Sequence, residues 1–538
     1  MSIPTQSAGD NEEEEQADLQ IRPPPPQSHH PSAPPDELFN ISTTVDPSYI
    51  ISLIRKLLLQ AVSSNCTFSG GDACGSSAQG SKVEEMQSKN EKFNPTNSEC
   101  KAMDTVNEYT EIEVSEGGDD GSRHQDKREG ASVEEASEES SWEEYGCILW
   151  DLAASKSHAE LMVQNLVLEV LLASLMVSES TRVTEIGLGI IGNLACHEVP
   201  RKCLGSRKEL VDTIVDQVFV DDTPCLCEVF RLLPLCLQGS EAANWAEALL
   251  PEHVLSRILW VAENTLNPQL LEKGVGLLLA IVESRQEAAA VLLPPLMNLG
   301  LPALLINLLA FEMSKLKDER VPERYSILDL ILRTLEALSV IDDYSQEIYS
   351  NKELFQLLGD LIKLPDKMEV ATSCVTAAIL IANMMSDVAD LASEVSQDFL
   401  FLQGLFDVLP FALHDTEARS ALWSIVARLL VPVQEEEISL SSLHQYVLVL
   451  SSKSDLIEEE LLDHQLDGSN VERQSLTSAS VKANARTRAL KKMTGILSLW
   501  AKNCVTWSSF MHDNDVSQGD VDRLLDCCHR YTSKMVSL

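Results

Sequence analysis

The stretch Thr184–Cys196 constrains this chain more than any other. Ile186, Ile190, Leu194 and Ile191 form an apolar stripe at helical spacing, and Gly187, Gly189 and Gly192 lie between them. A mid-helix Gly costs about 1 kcal/mol relative to Ala, so three cost roughly 3 kcal/mol in an isolated helix. Such a helix forms only where neighbours pack closely and the missing side chains let backbones approach. The stretch therefore predicts a helix buried inside a stack. Pro200 forbids its continuation.

The pattern recurs. With Asn193 as the reference, Leu235, Ile281, Ala337, Asn383 and Arg428 take the same place in further helical stretches. Those stretches are Cys227–Leu237, Leu270–Val282, Ile327–Ile341, Val370–Met385 and Arg419–Leu430, and the intervals are 42, 46, 56, 46 and 45 residues. Armadillo and HEAT repeats run at about 40–47 residues. The long interval holds the charged insert Lys315 to Arg324, read as a loop. Outer helices are predicted between the inner ones, at His253–Thr265, Glu353–Leu364 and Phe399–Leu413. A unit of this kind cannot bury its own apolar face, so neighbours stack. Aromatics are only 5% of the 538 residues, which suits stacked Leu-rich helices better than a β-sandwich.

The expected fold is therefore all-α: an armadillo/HEAT-like α-solenoid over 142–432 with a disordered acidic N-terminal region. Residues 1–140 carry the charge run Glu12 to Glu15 and the proline run Pro23 to Pro26, followed by Ser, Gly, Asp and Glu. That composition buries too little apolar surface to offset ordering entropy. One amphipathic helix near 48–60, including Tyr49 to Leu59, interrupts it and is expected to dock on the folded body. Residues 433–538 read as C-terminal helices: Ser441–Gln465, a basic helix at Val481–Lys502 and a capping helix at Val521–Val536. A polar linker over 467–480 separates the first two.

The formal net charge is −42, which argues against direct nucleic-acid binding and favours basic protein partners. The 13 cysteines are odd in number and lack a framework spacing, and Met1-Ser2-Ile3-Pro4 opens no signal segment. Both point to a reducing, intracellular compartment and away from secretion. The uncharged run Ala288 to Phe311 is broken by Pro294, Pro295, Gly300 and Pro302, so it reads as two helices and not as a membrane span.

Armadillo proteins that clamp extended peptides place an Asn on successive inner helices, where its amide offers one donor and one acceptor to a main chain. Import adaptors add a Trp four residues earlier. Here only Asn193 and Asn383 stand at the reference place, and Gly189, Arg231, Leu277, Arg333, Ile379 and Ser424 precede by four. No regular ladder exists, and the two Asn serve equally well as braces within the stack. The partner-binding face expected on the concave side comprises Asn193, Arg231, Arg333, Asn383 and Arg428.

No catalytic constellation, cofactor motif or phosphate loop stands out, and the reading is of a non-enzyme. Cys225-x-Cys227 with Cys236, Cys203 and Cys196-His197 lacks paired metal-ligand spacing, so no metal is expected. Lys482, Arg486, Arg488, Lys491 and Lys492 form a basic cluster, read as neutralising the acidic body in preference to an import signal.

Cys147-Ile148-Leu149-Trp150-Asp151, the run Glu185 to Cys196, and Leu338-Ser339-Val340-Ile341-Asp342-Asp343 are similar to segments of the serum amyloid A-like proteins. The resemblance implies an armadillo-like helical fold, a non-enzymatic role in support of cell proliferation, and a nuclear or nucleocytoplasmic location. It carries over no catalytic residue. The function expected is a scaffold that binds protein partners. The alternatives are a nuclear-import-type cargo adaptor and an acidic chaperone for basic proteins.

Overall fold

A computed structural model describes residues 45–66, 129–284, 286–388, 390–434, 437–467, 478–507 and 516–537. Of the disorder expected over residues 1–140, residues 1–44 and 67–128 lie outside these, as does most of the linker expected at 467–480; residues 129–140 are helical, because the helix that ends at Ala153 starts at Glu129. Pro47–Leu538 forms one compact unit.

The described residues contain α-helices and short 3₁₀ turns and no strand. Helices α1 (Pro47–Cys66) and α2 (Glu129–Ala153) come first. Six three-helix repeats follow: α3 (Lys156–Gln164), α4 (Val167–Val177), α5 (Thr181–Ala195); α6 (Glu198–Gly205), α7 (Lys208–Asp216), α8 (Thr223–Leu237); α9 (Ala242–Leu249), α10 (Glu252–Asn264), α11 (Pro268–Val282); α12 (Gln286–Asn298), α13 (Leu301–Asp318), α14 (Tyr325–Ser339); α15 (Asp342–Tyr349), α16 (Lys352–Ile362), α17 (Ala371–Asp387); α18 (Asp390–Glu394), α19 (Phe399–Val408), α20 (Thr416–Leu430). Helices α21 (Leu440–Ser452), α22 (Ser454–Asp467), α23 (Ser478–Trp507) and α24 (Gln518–Ser537) complete the chain.

The third helices stack in one continuous row, α2–α5–α8–α11–α14–α17–α20–α23. Second helices form another row, running from α10 through α13, α16 and α19 to α21 and α24. Between the rows lies a core of Leu, Ile and Val that includes Ile186, Leu232, Leu278, Leu335 and Leu380, each fully buried. This is an armadillo-like α-solenoid. Both rows run past Pro432, because α21 packs on α19 and α23 on α20.

Local chemistry explains the boundaries. Ser180, Asp222, Asn267 and Asp415 each accept a backbone N–H from the first turn of α5, α8, α11 and α20. The apolar stretch Ala159–Met176 is divided between two helices, with Leu166 left-handed at φ 66° and Asn165 Nδ2 donating to the Leu161 carbonyl at 2.7 Å. A three-helix repeat needs this corner, which lets α3 and α4 lie on different neighbours. Ser441–Gln465 likewise divides into α21 and α22.

The run Ala288 to Phe311 divides into α12 and α13, bent by 72° at left-handed Gly300. Met368–Asp387 is long and apolar enough to cross a membrane by length and composition, yet it packs between α14 and α20. The expected loop Lys315 to Arg324 is half helix, since α13 extends to Asp318. Buried Glu312 pins the remainder by accepting from Arg324 Nε at 2.8 Å and from its Nη2 at 2.5 Å.

Helix α1 docks on α2, α3 and α4. Ile50, Leu53, Ile54 and Leu57 are buried there, and Lys56 Nζ lies 4.3 Å from the Tyr145 ring centroid. Each such apolar side chain contributes on the order of 1.5–3 kcal/mol.

Candidate functional site

Every predicted site residue lies on the third-helix row, Arg333 exposed and Asn193, Arg231, Asn383 and Arg428 half-buried. Counting from the helix starts shows a slip of one in the third repeat. Thirteen residues after each N-cap stand Asn193, Leu235, Ala280, Ala337, Asn383 and Arg428. Ala280 replaces Ile281, which is fully buried. The residue four earlier is then Gly276, whose missing side chain faces open space. The capping residues Ser180, Asp222, Asn267 and Asp415 were the sequence signal that fixes this register.

Asn193 and Arg231 meet and are consumed inside the stack. Asn193 Nδ2 donates to the Trp150 carbonyl of α2 at 2.9 Å, and its Oδ1 accepts from Arg231 Nη1 of α8 at 3.2 Å. Arg231 also donates to the Gly189 carbonyl at 3.3 Å and pairs with Glu228, Nε to Oε2 at 2.9 Å. The glycines of α5 explain the geometry. A Cβ on Gly189 would lie 2.2 Å from the Trp150 ring, and one on Gly192 would lie 2.5 Å from Arg231 Nη2. Gly187 has no such role, because its nearest neighbour would be Leu175 at 3.5 Å. Asn193 thus joins three consecutive helices, α2, α5 and α8.

The other three residues are differently placed. Arg333 reaches Glu283 at the end of α11 at 3.4 Å, both being well exposed. Arg428 Nη2 donates to Ser386 Oγ of α17 at 3.0 Å and has no carboxylate partner among the described residues. Asn383 lies one turn before Ser386 on α17, partly exposed, and its amide has no hydrogen bond among the described residues. The structure therefore splits the five: Asn193 and Arg231 together as a brace, Arg333 apart, and Asn383 with Arg428 on adjacent helices.

The middle of the row is acidic. Asp329 of α14 buries Oδ1 with no hydrogen-bond partner among the described residues, and burial pushes its carboxyl above the ordinary aspartate range. Glu336, two turns on, is raised by burial and by the carboxylates of Glu417, Asp415 and Asp329, against Arg333.

The basic cluster of the C-terminal region divides by role. Arg486 is buried, where its Nη2 donates to Glu460 Oε1 at 3.0 Å beside Arg419 and Trp423. Lys492 donates to the Val433 carbonyl at 3.0 Å, just past the end of α20. Arg488 and Lys491 are exposed, with no ion pair among the described residues. The side chain of Lys482 lies outside them. Neutralisation of the body thus describes Arg486 and not Arg488 or Lys491.

Cysteine chemistry is muted. Burial pushes the thiols of Cys225 and Cys236 far up, and those of Cys374 and Cys528 to about 12. Cys225 Sγ donates to the Thr181 carbonyl at 3.2 Å, tying α8 to α5. No group of three or more His, Cys, Asp or Glu among the described residues is arranged to hold a metal ion.

No family model matches the chain. Protein saal1 of Danio rerio is 27% identical over 218 residues, covering 39% of this chain and 45% of its own length. Protein SAAL1 of Homo sapiens is 26% identical over 232 residues, covering 40% and 48%. The chain spans about half the length of the curated relatives it matches. These figures correct the resemblance read from Cys147–Asp151, Glu185–Cys196 and Leu338–Asp343, because they do not place the chain in the serum amyloid A-like family. What they support is a likeness to proteins of that name over about two fifths of the chain. Among solved structures, a designed armadillo repeat protein in complex with the peptide (KR)4 is 14% identical, covers 47% of this chain and 95% of its own, and has a TM-score of 0.37. An engineered protein covers 73% of this chain and 85% of its own at 14% identity and a TM-score of 0.44. The fold assignment rests on the helix stacking of this chain itself.

Proposed function

We propose that this chain is a non-catalytic scaffold that holds an extended segment of a partner protein along its third-helix row. The observation that carries the reading is Asn383. Its amide offers one donor and one acceptor on the exposed side of α17, unspent by the fold, whereas the amide of Asn193 is spent at both ends. Arg428, held by a hydroxyl and by no carboxylate among the described residues, stands on the next helix.

The import-adaptor alternative lacks support in the same row. The residues four before the reference place are Gly189, Arg231, Gly276, Arg333, Ile379 and Ser424, with no Trp among them. A reducing setting, nucleus or cytoplasm, suits cysteines that include buried free thiols such as Cys225, Cys236 and Cys374.

The test is photo-crosslinking from cell extract with the full chain. A photoreactive residue replaces Asn383 in one preparation and Leu400, exposed on the second-helix row, in another. Under this reading a discrete protein is captured from position 383 and not from position 400. Capture from position 400 alone, or the same assortment from both, defeats it.

A further inference from the structure

We propose that the α17–α20–α23 end of the third-helix row is a docking surface for an acidic segment of a partner protein, held by Arg428, Arg488 and Lys491 with the amide of Asn383 on its main chain. The proposal rests on the reading of the row as a segment-binding face and names the chemistry of the segment.

The charge pattern of these helices runs against that of the chain. The protein carries a formal net charge of −42. Yet α23 contains no Asp or Glu, α20 contains only Glu417, and α17 only Asp387. Arg428, Arg488 and Lys491 have no ion-pair partner among the described residues. In a chain this rich in carboxylates, cations left unpaired side by side form a local positive field, and charge complementarity selects an acidic occupant.

Two internal contacts show that the three cations share one side. Arg419 of α20 and Arg486 of α23 both turn to Glu460 of α22, at 3.7 and 3.0 Å, so the two helices stand level there. Lys492 then reaches the carbonyl of Val433 beyond the end of α20, so the two helices run the same way. An α-helix turns ~100° and rises ~1.5 Å per residue. Arg428 lies ~180° round α20 from Arg419, while Arg488 and Lys491 lie ~200° and ~140° round α23 from Arg486. All three therefore stand opposite the side buried against Glu460. Along the axes Arg428 is ~13.5 Å beyond the level of the Glu460 contact and Lys491 ~7.5 Å, an offset of ~6 Å between helices packed roughly 8–10 Å apart. Both side chains are long enough to converge on carboxylates two to four residues apart in an extended segment.

Glu417 marks the limit of the surface. It shares the exposed side of α20 but stands ~16.5 Å from Arg428 along the axis, next to Asp415 and toward the acidic middle of the row. A segment lying in register thus meets cations at α20 and α23 and repulsion if it slides toward α14. The small number of cations and the acidity of the rest of the chain disfavour a phosphate polyanion, which needs a longer basic track.

The test is fluorescence anisotropy with the full chain and a labelled peptide of about twelve residues, Glu alternating with Ser and Gly, long enough at ~3.3 Å per residue to cross three helices. A Lys counterpart and a single-stranded oligonucleotide of equal length serve as competitors. The acidic peptide should bind saturably and more weakly as salt rises. The double variant R428E/K491E, whose sites are at the surface, should weaken it by at least about tenfold with an unchanged melting temperature. Asn383→Ala should weaken it without altering the salt dependence. Absence of binding, or an affinity indifferent to R428E/K491E, overturns the proposal, as does tighter binding of the oligonucleotide or of the Lys peptide at the same residues. Crosslinking from position 383 separates the two levels. A partner still captured by R428E/K491E leaves the scaffold reading standing and removes the acidic segment; no partner captured even by the native charges removes both.

Discussion

Alanine substitution of two glycines two residues apart on α5, on nearly opposite sides of the helix, should affect stability differently. Gly187→Ala and Gly189→Ala each relieve a mid-helix glycine, a gain of about 1 kcal/mol. At Gly187 the new methyl would meet only Leu175, at 3.5 Å, an ordinary contact. Nothing opposes the gain, and the net expectation is stabilisation by roughly 0.5–1 kcal/mol. At Gly189 the methyl would lie 2.2 Å from two atoms of the Trp150 ring. Ordinary contact needs more than 1 Å of additional separation, which lifts the ring from α5 and strains the Asn193 bond to the Trp150 carbonyl. Overpacking of this kind costs roughly 1–3 kcal/mol, sometimes more. Gly189→Ala should therefore be neutral to destabilising by about 2 kcal/mol, and the two variants should differ by roughly 1–3 kcal/mol. Urea denaturation of each full-length variant, followed by circular dichroism and by tryptophan emission, measures the difference. Repeat arrays need not unfold in one step, so the transition that carries the tryptophan change is the one to compare. If both alanines stabilise equally, α2 does not press on Gly189 and the account of the first stacking contact is wrong.

Other consequences follow from the polar groups of the stack. Glu460 is the shared partner of Arg419, Arg486 and the Trp423 indole, so Glu460→Gln removes the counter-charge 3.0 Å from the buried Arg486 guanidinium. Loss of one member of a buried ion pair costs roughly 3–5 kcal/mol, and proteolysis should open the region α21–α24 first; protection equal to the native chain would contradict this. Glu336 has a carboxyl raised above the ordinary glutamate range by burial and neighbouring carboxylates, so the folded state binds its proton more tightly than the unfolded state. Its contribution therefore declines as pH rises through that range, and Glu336→Gln should raise the melting temperature at neutral pH. The two curves should converge in acid below the ordinary glutamate value; a constant offset at all pH values would contradict the assignment. Asn193→Ala removes the link between α2 and α8 and should lower stability by about 1 kcal/mol. Partner capture from position 383 should be unchanged by it, and a loss of capture at constant stability would return Asn193 to the binding face.

The helical repeat was legible because it is written in local chemistry. Apolar residues at a period near 3.6, capping residues such as Ser180, Asp222 and Asn267, and proline at helix starts all act within a few residues of chain. The corner at Leu166 was not legible. No glycine or proline marks it, and the left-handed turn is imposed by the separate neighbours of α3 and α4. The candidate site was only half legible for a related reason. Side-chain type showed that Asn193, Arg231, Asn383, Arg428, Arg486 and Arg488 can bond or pair, but not with what. Whether an amide is spent on Trp150 and Arg231, or left unspent at position 383, depends on which helices the stack brings within 3 Å. The same holds for the arginines two residues apart on α23: Arg486 turns inward to Glu460, and Arg488 stands to the outside. Periodicity and capping, carried by neighbours along the chain, determined the helices and their repetition. The distribution of spent and unspent polar groups was decided by tertiary contact alone, because hydrogen bonds and ion pairs act over a few ångströms of space whatever the separation in sequence.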